Sequence, residues 1–202
     1  MLKYIEHYRD VPVLSLDFEA RPTAWIAGDF VGKSTTAVGW VWRHEGTAHS
    51  VVLNRKMTSV APIVDAINEQ IFKYDEVLLV GHYLRGYDLP VLNADRERLG
   101  YDSLPKLLTH DTKLDRKQGI GLSESLENLV TRYELEHEKM PMHEPWWEEH
   151  NLLQTPRSVK WVKERVERDV LATLDLYEVM LGRMKAPKVW DPNGSKMPRY
   201  RG

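Results

Sequence analysis

An apolar run that ends in two acids constrains this sequence more than any other stretch. Val11-Pro12-Val13-Leu14-Ser15-Leu16 leads into Asp17-Phe18-Glu19. Residues 11–18 read as a buried strand, because aliphatic side chains follow one another with little polar relief. Side chains alternate faces along a strand, so Asp17 and Glu19 point the same way. Two carboxylates placed like this repel and lose solvation unless a cation sits between them. Hard divalent ions such as Mg²⁺ or Mn²⁺ take carboxylate oxygens and keep positions open for water and phosphate.

The rest of the chain supplies elements to surround that strand. Residues 35–42 are rich in β-branched and aromatic side chains and read as a second strand. Residues 50–53 read as a third, after the Glu45-Gly46 turn. Ile63, Ile67 and Ile71 recur at four-residue spacing and predict an amphipathic helix over 61–73. A short apolar strand follows over 76–80, then a helix over 89–99 that stops near Gly100. Residues 106–109 predict a strand leading into Asp111, and 123–133 a helix. The segment 140–156, with three prolines and Trp146 and Trp147, reads as a surface excursion. From Arg157 a three- to four-residue apolar beat predicts one long helix to about Met184. The expected organisation is an α/β domain over 1–184 built on a mixed sheet, then a basic extended tail over 185–202 carrying Lys185, Lys188, Lys196, Arg199 and Arg201.

Composition narrows the class. At 202 residues, 42% hydrophobic and 29% charged, the chain has the size and balance of a single globular domain. No apolar run approaches membrane-spanning length, and residues 1–7 lack the apolar core of a signal peptide. Cysteine is absent, which excludes disulfides and thiolate metal sites and removes redox chemistry as a guide to compartment; a cytoplasmic, intracellular location is the default expectation. A net charge of −2 excludes a globally basic nucleic-acid binder. It leaves room for an enzyme that holds phosphate through bound metals and a local basic patch.

Two further acids stand out. Asp88 follows the strand and Gly-containing loop Gly81-His82-Tyr83-Leu84-Arg85-Gly86-Tyr87. It reads either as a helix N-cap or as a site acid. Asp169 lies on the last helix beside Val166 and Val170, with Arg165 available as an i−4 partner. Cleaving a phosphodiester needs about two metals roughly 3.5–4 Å apart, and four carboxylates converging from separate elements can hold both.

These residues resemble the DEDD (DnaQ-like) 3′–5′ exonuclease superfamily, in its family-B-polymerase-like, RNase H-fold branch. The likeness rests on Leu16-Asp17-Phe18-Glu19, the block from Gly81 to Leu92 containing Tyr87-Asp88, Asp111-Thr112, and Asp169-Val170-Leu171-Ala172, in order over 11–181. It implies an α/β RNase H-like mixed sheet flanked by helices. Asp17, Glu19, Asp88 and Asp169 would be the catalytic and metal-binding set, holding two Mg²⁺ or Mn²⁺ ions. Asp17, Glu19 and Asp169 would bind the ion that activates water, and Asp17 would bridge to the second ion, near Asp88. Phe18, His82, Tyr83, Tyr87, Lys163 and Arg165 would lie against the substrate, a nucleic acid, expected to be DNA with a 3′ end. The implied reaction releases nucleoside 5′-monophosphates. Two positions depart from the family pattern. Tyr83 stands where the family has Asn, and Arg165 where it has the Tyr four residues before the last acid; the related branch's His, five residues before, is Glu164 here. A base could come instead from His143, His150 or Glu164, or Arg165 could contact the scissile phosphate. A structure-specific endonuclease and a catalytically silent nucleic-acid-binding module are the alternatives.

Other signals carry less. The stretch from Gly28 to Thr35 has the wrong glycine spacing for a phosphate loop and reads as a loop between strands. Trp146 and Trp147 either stack on bases or, as favoured here, pin the excursion to the core. The eight histidines show no zinc-ligand spacing. Arg157, Lys160, Lys163, Arg165 and Arg168 form either a solvated helix face or a backbone-binding patch.

Overall fold

The computed structural model describes residues 10–22, 25–26, 29–30, 32–116 and 125–194. In chain order the strands are β1 (Val13–Pro22), β2 (Trp25–Ile26), β3 (Asp29–Phe30), β4 (Lys33–Trp42), β5 (Ala48–Val52), β6 (Leu78–Gly81), β7 (Leu107–Asp111) and β8 (Lys188–Trp190). The helices are α1 (Ala61–Ile71), α2 (Asp88–Arg98), α3 (Leu126–Tyr133), α4 (Glu144–Leu153) and α5 (Pro156–Met180). Six strands form one mixed sheet in the order β5-β4-β1-β6-β7-β8, with β1, β6 and β7 parallel.

β1 is apolar on both faces because both faces are covered. Leu14, Leu16 and Phe18 join Val38, Trp40 and Trp42 of β4 under Ile63, Ile67 and Ile71 of α1 and Leu89 and Leu92 of α2. On the opposite face Val13 packs with Val170, Leu174 and Tyr177 of α5 and with Leu126 and Leu129 of α3. Ser15, the polar interruption, donates its hydroxyl to the Val170 carbonyl at 3.0 Å. Each fully buried aliphatic side chain here contributes roughly 1.5–3 kcal/mol. The odd-numbered residues of β1 therefore face α5, which fixes where Asp17 and Glu19 point.

β1 continues past its acids. Antiparallel pairing with β4 carries it to Pro22, with a register slip between Glu19 and Ala20. The parallel ladder to β6 covers Val13 to Ser15. Asp17 and Glu19 thus lie beyond the last β1–β6 pair, at the carboxyl ends of the parallel strands, where open α/β sheets commonly place ligands.

Three local expectations are corrected. The excursion 140–156 contains α4, whose Trp146 and Trp147 pack beside Trp161 and Val162 of α5. The indole rings of Trp146 and Trp161 are 6.1 Å apart in an edge-on arrangement. The loop expected over 28–35 includes β3 and the start of β4; β3 pairs with β2 as a small second sheet, while Gly28 and Val31 lie outside the described residues. In the stretch expected as a tail, Lys188–Trp190 forms the edge strand β8 against β7, and Trp190 is buried in the core. Residues 195–202, with Lys196, Arg199 and Arg201, lie outside the described residues. No helix among the described residues is long and apolar enough to cross a membrane.

Candidate metal centre

Asp17 and Glu19 share the α5 face of β1, and α5 brings Asp169 down onto them. Gly39 of β4 is the register partner of Asp17. A Cβ at Gly39 would lie 2.7 Å from the Val166 carbonyl oxygen, so this glycine is what lets α5 approach the sheet beside the acids. One oxygen from each of Asp17, Glu19 and Asp169 lies within 4.8 Å of the other two. Asp17 and Glu19 keep partial exposure, while Asp169 is 1% exposed.

Two cations of the protein reach into this trio. Arg165 donates Nε to Glu19 Oε1 at 2.6 Å and Nη1 to the Met140 carbonyl at 2.8 Å, and its Nη2 lies 3.8 Å from Asp169 Oδ2. Lys139 Nζ is 3.2 Å from Asp169 Oδ2. Asp169 Oδ1 is buried with no hydrogen-bond partner. A buried orphan carboxylate oxygen is costly and needs a reason.

Asp88 completes the set electrostatically. It is the first residue of α2 and is buried; the N-cap position belongs to Tyr87, so the plain capping role does not hold for Asp88. Loss of solvent pushes its carboxyl well above the usual range, reinforced by the charges of Asp17, Asp111 and Glu19. Asp17 is pushed well above for the same first reason, then by Asp169 and Glu19. Desolvation also raises Glu19 and Asp169, against the lowering pull of Arg165 and Lys139. The protein's own cations therefore leave the cluster short of positive charge. An all-carboxylate donor set with an orphan oxygen fits a hard divalent ion such as Mg²⁺ or Mn²⁺. The close trio is Asp17, Glu19 and Asp169; Asp88 lies outside it and feels it through the Asp17 and Glu19 charges that raise its carboxyl.

A second acid, which the sequence reading gave no role beyond its place in a motif, organises the loop before Asp88. The Asp111 carboxylate accepts the backbone N–H groups of Tyr83 (3.1 Å), Arg85, Lys113 and Leu114 (3.0 Å each). Arg85 forks onto Asp115 at 2.6 and 2.7 Å, and Asp115 also accepts the Asp111 N–H at 2.9 Å. Tyr83 is held at φ 74°, a left-handed conformation, and its ring fills the space over Gly86 that a Cβ would need. Lys113 Nζ lies 4.5 Å from the Tyr83 ring centre and Lys33 Nζ 4.1 Å from that of Tyr87. Two lysine–tyrosine pairs thus belong to the loop that ends at Asp88.

The residues expected against substrate divide. Tyr83 and Tyr87 lie on this loop, and His82 Nδ1 pairs with Thr112 Oγ1 at 3.0 Å. Arg165 is in the centre itself. Phe18 is not at the site: the alternation that turns Asp17 and Glu19 toward α5 sends it into the opposite core, where it is 4% exposed. Lys163 pairs with Glu167 at 3.7 Å, two positions and about 200° of helix away from Arg165. The proposed basic patch is largely neutralised, since Arg157 pairs with Glu149 and Lys160 with Glu164. The alternative bases fare no better. His150 is buried, and burial followed by the nearby Arg21 charge pushes it down to about 4, against the upward pull of the Thr36 backbone. His143 caps α4 and its ring lies 4.2 Å from that of Trp146. Lys139, Gly39 and Asp115 escaped the sequence reading; Asp111 and Asp115, one i,i+4 step apart after a strand, were the readable hint.

No family model matches the chain, and no curated protein matches it. Among solved structures it is similar to the family B DNA polymerase from the hyperthermophilic archaeon Pyrobaculum calidifontis, with a TM-score of 0.55 and 18% identity, over 85% of this chain and 24% of that one. The chain spans about a quarter of that polymerase. That likeness and the strand order together show the fold: an α/β, RNase H-like mixed sheet flanked by helices.

Proposed function

We propose that this chain is a divalent-metal-dependent nuclease that hydrolyses nucleic-acid phosphodiesters, removing nucleotides from a DNA 3′ end. The observation that carries the reading is the trio Asp17, Glu19 and Asp169, with ligand oxygens within 4.8 Å and a buried, unpartnered Asp169 Oδ1. The likeness of fold to a family B DNA polymerase supports nucleic acid as the substrate class.

Asp17, Glu19 and Asp169 would hold one Mg²⁺ or Mn²⁺ ion, and Asp17 with Asp88 a second. Bound there, such ions supply positive charge to the phosphate and acidify a water. The chain's own residues do the positioning. Tyr83 and Tyr87 offer ring surface for unpaired bases, where a stacked base is worth roughly 1–3 kcal/mol. Lys33 and Lys113 place positive charge beside those rings for the backbone phosphates. The Asp111 cradle fixes the loop, so these groups and Asp88 meet substrate already arranged.

A 3′-labelled single-stranded oligonucleotide incubated with Mg²⁺ or Mn²⁺ should be shortened to mononucleotides. Excess chelator should abolish this, as should Asp17→Ala. A fully active Asp17→Ala protein would place the site elsewhere. Cutting of a closed single-stranded circle would turn the reading toward an endonuclease. The ion pairs of Arg165 and Lys139 with the cluster favour one second reading, a silent nucleic-acid-binding module. Oligonucleotide binding without cleavage, unchanged by chelator, would establish it.

A further inference from the structure

Arg165 differs from the other paired cations of α5. Its side chain is 7% exposed, against 78% for Lys160 and 57% for Lys163. The guanidinium is anchored at Glu19 and at the Met140 carbonyl and stands beside Asp169. Its ring-facing side lies 5.8 Å from the Trp161 ring centre. A planar fork held this way is a fixed charge rather than a wandering one. The segment that supplies Met140 is itself tied along α5: His137 Nδ1 pairs with Asp175 at 2.9 Å and Lys139 with Asp169. Glu19 and Asp169 therefore each have a protein cation, whereas among the described residues no cation pairs directly with Asp17 or Asp88.

We infer that Arg165 is a built-in cation of the metal centre, occupying the charge role of a second divalent ion, so that the resting centre loads a single ion. The inference rests on the metal-centre reading above. Four carboxylates faced by Arg165 and Lys139 leave two negative charges, which one divalent ion neutralises. Another ion would leave this water-poor site net positive, which is costly until an anion arrives. Asp17 and the orphan Asp169 Oδ1 are the ligands open to the first ion. A substrate phosphate matches the same planar fork that now grips Glu19. Its arrival gives Arg165 a new partner, frees Glu19 oxygen to complete the trio around the first ion, and brings the negative charge that admits a second ion at Asp17 and Asp88. Arg165 is thus a positioning residue that sets the order of loading.

The test counts ions on the full chain without nucleic acid, by isothermal titration with Mn²⁺ and by native mass spectrometry. The wild type should load one ion. Arg165→Gln should bind the first ion roughly tenfold tighter or more, since a neighbouring positive charge has gone and Glu19 is open to it, and should take up a second ion at lower Mn²⁺ than the wild type does. Arg165→Lys, which keeps the charge, should load one. Lys139→Gln, which leaves Arg165 on Glu19, should tighten the first ion by less than Arg165→Gln does. If Arg165→Gln does not fold, as read by circular dichroism, the wild-type count and the Lys139→Gln affinity decide. A wild type that loads two ions unaided overturns the inference and leaves the metal centre standing, as does a folded Arg165→Gln that binds no more and no tighter. Absence of binding in every form overturns the metal-centre reading and this inference with it.

Discussion

Asp17 lies on the α5 face of β1 with Glu19 two positions on and Asp169 opposite. Desolvation and two like charges hold its carboxyl well above the usual range, so in the absence of metal its charged form burdens the fold. Asp17→Asn should therefore raise the melting temperature in chelator by a few degrees, corresponding to roughly 1 kcal/mol, while abolishing cleavage. Differential scanning fluorimetry in EDTA and a 3′-labelled digestion check the two halves; a drop in melting temperature would refute the charge-crowding account. Asp111 predicts the opposite. Its carboxylate satisfies four backbone N–H groups, and Asp111→Asn should cost about 2 kcal/mol in urea unfolding. At this scale the acids were legible because alternation along a strand is local. Phe18 was misplaced although the same alternation governs it. The contact between Arg165 and Glu19 was illegible because 146 residues separate them.

α5 is the element that assembles the centre, and Gly39 sets how near it comes. With the Val166 carbonyl 2.7 Å from where a Cβ would stand, Gly39→Ala has to push helix and sheet apart. A destabilisation of about 2 kcal/mol is expected, with weaker Mn²⁺ binding because Asp169 moves with the helix. Chemical unfolding and metal titration of this variant test both; an unchanged protein would mean that the backbone yields elsewhere. The long helix was legible through its apolar beat. α4 was not, because its two tryptophans follow no helical repeat and its partner surface belongs to α5. β8 was hidden for a similar reason: it owes its place to the ladder with β7 and to the burial of Trp190. β1 outran its expected end because pairing with β4, rather than its own hydrophobicity, sustains it beyond Phe18.

The whole molecule carries a titration that no single element reveals. His150, the buried residue of α4, is pushed down to about 4, below the ordinary value of 6.5. From pH 6.5 down toward 4 the unfolded chain binds a proton that the folded chain refuses. Stability contributed at neutral pH is thus lost across that window, up to about 3 kcal/mol. The raised carboxyls of the metal-free cluster act in the opposite sense, so the clean measurement is a difference. Urea midpoints at pH 7 and pH 4.5 should fall more for the wild type than for His150→Gln. Equal slopes would show that His150 is not the group. The fold class was legible at this scale from the order of strands and helices. The choice of which acids meet depended on the sheet order β5-β4-β1-β6-β7-β8, which no local pattern encodes.

Between Glu19 and Ala20 the pairing skips Thr36, so the extra residue belongs to β4 and the alternation of β1 runs through its acids unbroken. Up to that step, odd and even positions are bound to opposite sides of the sheet. An extra residue inserted before Asp17 would rotate both acids into the aliphatic layer under α1 and α2 and turn Phe18 toward α5. An extra residue after Ala20 would leave them aimed as they are. The strand's far end, and the connection that follows it, can therefore change length freely while the charged pair stays in register.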